Sequence, residues 1–197
     1  MRVALCQIPV SSRPEVNSGR VREALSEAAE QGADLAVFPE ATQVRFGSDL
    51  RAAAEPLDGP FCSGLAATAK QTGVALVAGV FEPAPDGRVY NTAVAYDGTG
   101  ELVASYRKLH LFDAFGHRES DLVAPGSAPV MCTLAGVRTG LAICYAVSVS
   151  VFGGTTQFVI AWLIGTTGDP LSPAYYVIAT SLISLWAMFR LPETFKT

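Results

Sequence analysis

The feature that most constrains this chain is an abrupt end to its charge. Of 32 charged side chains in 197 residues, 28 lie in residues 1–138 and four in residues 139–197. No charged residue occurs from Thr139 to Gly168, nor from Pro170 to Phe189. The first part has the composition of an ordinary water-soluble domain. The second is apolar over lengths close to the roughly 20 residues that cross a bilayer core. A domain of this size cannot easily surround two fully apolar helices. The chain therefore reads as two parts, 1–145 and 146–197, joined near Tyr145–Ala146.

The bulk values agree with that division and exclude some partners. Half the residues are hydrophobic and the mean hydropathy is +0.32. A formal net charge of −4 leaves no basic footprint for nucleic acid. Cys6, Cys62, Cys132 and Cys144 form no CxxC pair, and no histidines accompany them at zinc-ligand spacing. The opening MRVALCQIPVSSRPE has a short apolar run with an early proline, unlike a secretory leader. Reduced thiols in a cytoplasmic setting are the expectation.

Residues 1–145 predict an α/β fold. VALCQIPV suits a short buried strand that ends in a Ser-Ser-Arg-Pro loop. From Asn17 to Gln31, Val21, Leu25, Ala28 and Ala29 recur at helical spacing, with Gly32 at the left-handed position beyond the helix. ADLAVFPE follows as a second strand, completing a βαβ unit. Pro60 opens another helix that Gly73 closes, and VALVAGVFE is the next strand. VYNTAVAYD and ELVASYRK form a hairpin about GTG, and PVMCTL and VRTGLAIC another about Ala135–Gly136.

Three side chains could carry chemistry. Glu40, Lys108 and Cys144 each end a predicted strand, at the sheet edge where α/β folds place ligands. A carboxylate there can take a thiol proton and later protonate a leaving amine. A thiolate can attack a carbonyl or nitrile carbon. An ammonium lowers the thiol pKa and stabilises an oxyanion. His110 and His117 admit a cysteine–histidine protease, but no Asn or Asp partner is marked out.

Taken in order, VALCQIPV, ADLAVFPEAT, PLDGPF, GVALVAGVFE, VYNTAVAYDGTGELVASYRKLHLFD, RESDLVAPG and GLAICY resemble the nitrilase superfamily, the carbon–nitrogen hydrolases. That resemblance implies an αββα sandwich, of which residues 1–145 would be the first half. It implies a Glu-Lys-Cys triad at Glu40, Lys108 and Cys144, with Glu119 as a supporting carboxylate. It also implies hydrolysis of a small amide with no metal or organic cofactor. YRKLHLFD is most similar to the branch acting on ω-amides and deaminated glutathione.

After Tyr145 the family continues with an acidic residue and a basic-aromatic run, whereas this chain reads AVSVSVFGG. The second half of the sandwich and most of the family's dimer surface are then missing. FGGTTQF, GDPLSPAYY and the closing FRLPET instead resemble the last two helices of a major facilitator superfamily metabolite:proton symporter. The expectation is a chimera whose apolar helical hairpin, 146–190, associates with the inner or cytoplasmic membrane. Three functional readings are weighed: a thiol amidase impaired by an incomplete fold, a membrane-anchored transporter-derived fragment, and a non-functional chimera.

Overall fold

The computed structural model describes residues 1–142 except 115, together with 162–169, 171 and 175. The chain divides into two compact units, Met1–Ile143 and Cys144–Thr197.

In the first unit, β1 (Val3–Leu5) lies parallel to β2 (Leu35–Val37), and β2 parallel to β3 (Ala75–Pro83). The intervening helices are α1 (Pro14–Glu30), the single turn α2 (Leu50–Ala53) and α3 (Pro60–Thr72). The sheet then turns antiparallel through β4 (Val89–Tyr96) and β5 (Leu102–Arg107). Beyond β5 come two short paired strands, β6 (Asp113–Ala114) and β7 (His117–Arg118), a 3-10 turn at Glu119–Asp121, and β8 (Val123–Ala124). β8 pairs in parallel with the start of β4. A separate hairpin of β9 (Val130–Leu134) and β10 (Val137–Leu141) completes the unit.

Helices pack on one face of the sheet. Val21, Leu25 and Ala28 of α1 and Phe61, Leu65 and Ala69 of α3 meet Leu76, Ala78, Val80, Val94 and Tyr96. Each large aliphatic buried this way contributes about 1.5–3 kcal/mol. Leu134 and Leu141 of the hairpin cover part of the other face, against Leu35, Ala75, Ala93, Ala95 and Tyr106.

Two local expectations change. The first helix starts at Pro14, not Asn17, because a proline without an N–H fits the first helical position. β1 is an edge strand and is not fully buried. Ala4 and Cys6 pack against the helix-side core, while Val3 and Leu5 are exposed on the opposite side. The turn at Ala135 and Gly136 takes φ values of 47° and 77°, the doubly left-handed geometry that a two-residue hairpin requires.

In the second unit, residues 162–167 are helical. Among the described residues, no helix is long and apolar enough to cross a membrane. The apolar hairpin expected over 146–190 lies almost wholly outside the described residues.

Candidate active site

Glu40 follows β2 by three residues, in a turn pressed against β3. Gly79 permits the approach: a Cβ on that residue would stand 1.4 Å from the Glu40 carbonyl oxygen. The Gly79 N–H donates to Pro39 O at 3.2 Å, and its carbonyl accepts from Gln43 N at 3.1 Å. Gln43 is fully buried; its Oε1 accepts from Phe81 N at 2.7 Å and its Nε2 donates to Ala53 O at 2.9 Å. Asn17 of α1 donates to Gln43 O at 2.9 Å, tying the same turn to the helix layer.

Lys108 immediately follows β5. Its N–H donates to Asn91 O, and its carbonyl accepts from Gly126 N, both at 2.8 Å. Gly126 is again a close approach, since a Cβ there would lie 2.2 Å from Arg107 O. Arg107 and Lys108 alternate across the pleat. Arg107 bonds Glu82 at 2.8 and 3.0 Å and stacks 4.1 Å from the Tyr90 ring centroid. Lys108 turns to the other face and meets two carboxylates.

Its Nζ donates to both oxygens of Glu119 at 3.0 Å and to Glu40 Oε1 at 3.1 Å. Side-chain exposure is 5% for Lys108, 8% for Glu119 and 23% for Glu40, so Glu40 is the carboxylate open to an incoming group. Both oxygens of Glu119 are engaged, and its Oε2 also accepts from Phe112 N at 2.6 Å. Glu40 Oε1 accepts a second bond, from Asn91 Nδ2 at 2.7 Å, while Oε2 has no hydrogen-bond donor among the described residues. Burial alone would lower the Lys108 pKa. The hydrogen bonds and charges of Glu119 and Glu40 outweigh it and hold the ammonium above its ordinary value.

The structure thus brings together Glu40, Lys108 and Glu119. Cys144 lies outside the described residues. The other three cysteines are poor thiolates. Burial, and then Glu27, raise Cys6; burial raises Cys132; burial pushes Cys62 up to about 11. His110 is exposed in the loop after Lys108. Among the described residues, no group of three or more His, Cys, Asp or Glu side chains could hold a metal ion.

Sequence reasoning missed Asn91, Gly79 and Gly126. Asn91 had a signal: an Asn inside the strand-like run VYNTAVAYD is of a type depleted in strands and calls for a partner. The two glycines gave none, because close approach depends on a distant segment.

Comparison with known proteins gives the same family from sequence and from shape. The model for carbon–nitrogen hydrolases matches residues 2–150, a few residues past Tyr145. A hydrolase of Mycobacterium tuberculosis is 48% identical over 147 residues, covering 74% of this chain and 52% of its own. An omega-amidase of Danio rerio is 33% identical over 150 residues, covering 73% of this chain and 54% of its own. The chain spans about half the length of the curated relatives it matches.

Among solved structures, a mutant amidase from Nesterenkonia sp. AN1 superposes with a TM-score of 0.65 at 27% identity, covering 82% of this chain and 61% of its own. That structure shows covalent addition of the acetamide moiety of fluoroacetamide at the active site cysteine. A CN-hydrolase superfamily protein of Xanthomonas campestris gives 0.66 at 27% identity, covering 77% and 56%. The transporter resemblance of residues 146–197 finds no support in these matches.

Proposed function

Since the chain belongs to the carbon–nitrogen hydrolase family, we propose that it carries the machinery of a thiol amidase acting on a small linear amide. The observation that carries this is the buried ammonium of Lys108 held between Glu40 and Glu119, with one Glu40 oxygen that accepts no hydrogen bond among the described residues.

In this reading Glu40 Oε2 takes the Cys144 thiol proton, and the thiolate attacks the amide carbon. Lys108 stabilises the oxyanion of the tetrahedral intermediate. Collapse breaks the C–N bond, and ammonia leaves with the proton that Glu40 returns. A cysteine thioester remains. Glu40 then deprotonates a water that attacks it, releasing a carboxylic acid and restoring the thiol. Glu119 holds Lys108 in place and exchanges no proton. An ω-amide, a linear acid whose far end is a primary amide, is the preferred substrate class, supported by the omega-amidase relatives.

Turnover by these 197 residues alone is expected to be weak or nil, because the family match ends shortly after the nucleophile. The assay is ammonia release from succinamate by the purified chain, beside Cys144→Ala. Activity that survives Cys144→Ala would overturn the mechanism. For residues 146–197, two charge-poor stretches favour a membrane-associated hairpin from a separate source. Recovery of the intact chain in the soluble fraction after carbonate extraction would remove that reading.

A further inference from the structure

Asn91 is fully buried in β4, paired across the ladder with Phe81. Its Nδ2 makes the shortest bond to Glu40, 2.7 Å against 3.1 Å from Lys108, and both fall on the same oxygen, Oε1. Its own Oδ1 is buried with no hydrogen-bond partner among the described residues. An unmet buried acceptor is destabilising, because its lost hydration is not replaced. A side chain present only to fill the space would serve better as leucine, which has nearly the same shape and no polar atom to leave unpaired. The amide cannot recover that cost by flipping, because its oxygen would then face a carboxylate. The Asn91 side chain is thus committed to one contact, a hydrogen bond that pins Oε1 of Glu40.

We propose that Asn91 is a positioning residue for Glu40. With Oε1 occupied by Asn91 and Lys108, the carboxylate is fixed in one rotamer and Oε2 is the oxygen presented for proton transfer. The consequence for rate rests on the amidase reading above; the contact itself does not.

The test uses the full chain and Asn91→Leu, with Asn91→Ala as a second variant that removes the donor toward Glu40 without the bulk of leucine. Where the parent chain turns over succinamate, both variants are expected to lose kcat on the order of 10- to 100-fold while KM stays within about twofold. The Asn91→Leu melting temperature is expected to stay level or rise, because the orphaned acceptor is gone. Unchanged kcat, or a loss of kcat that only tracks a lower melting temperature, overturns the proposal.

A readout independent of turnover is the Asn91 side-chain NH2 pair in 1H–15N spectra of the unmodified chain. Glu40→Gln is expected to shift it and to speed its exchange with water. No response there also overturns the proposal. If the parent chain releases no ammonia yet this NMR coupling is present, the positioning role stands, and it is only the turnover of these 197 residues that is absent. If the parent is active and Asn91→Leu equally so, the positioning role alone fails.

Discussion

Arg107 and Lys108 are neighbours in the chain that lie on opposite sheet faces, and only Lys108 sits buried between carboxylates. Replacing it with methionine leaves Glu119 buried beside Glu40 without a cation. The expected cost is about 3–5 kcal/mol, read by urea unfolding. Its pH dependence has a definite sign. The Lys108 pKa lies above 10.5 in the folded chain, so its contribution is complete below pH 10.5 and is lost as pH rises through the folded value. The stability gap between parent and Lys108→Met should therefore narrow in strong alkali. The cysteines give a second residue-scale prediction. Cys6, Cys62 and Cys132 all have raised pKa values, so sub-stoichiometric iodoacetamide at neutral pH is expected to label Cys144 first. Mass spectrometry that found Cys132 labelled ahead of it would contradict an activated thiol.

At the scale of elements, the site depends on glycines more than on strand propensity. Gly79→Ala places a methyl group 1.4 Å from Glu40 O, a contact with backbone that no side-chain adjustment relieves. About 3 kcal/mol or more of stability should be lost, together with any turnover. Ala135 offers the opposite case. It occupies a left-handed position at φ 47°, so Ala135→Asn is expected to raise stability by about 1 kcal/mol in thermal or urea unfolding. Much at this scale was legible beforehand. Pro60 opens α3 and Gly73 closes it with φ 70°, and both hairpins turn where GTG and Ala135–Gly136 predicted. Such features follow from a residue's own φ preference or missing N–H, which neighbours a few positions away do not alter. The exposure of Val3 and Leu5 was not legible, because an apolar run reads the same at an edge as in the middle of a sheet.

For the whole molecule, the family and the α/β class were carried by the order of several short segments. Residue type and strand-end position also marked Glu40 and Lys108 for attention, and the family resemblance marked Glu119. What only the tertiary structure decided is how they combine. Glu40 meets Lys108 across 68 positions and Asn91 across 51. Those contacts exist because β2, β3, β4 and β5 align in one register and because Gly79 and Gly126 let backbones close on each other. A sequence determines the chemistry that each position can offer and the local bends between positions. Which carboxylate has both oxygens engaged and which keeps one without a donor among the described residues depends on groups brought from distant strands, and that is set by packing.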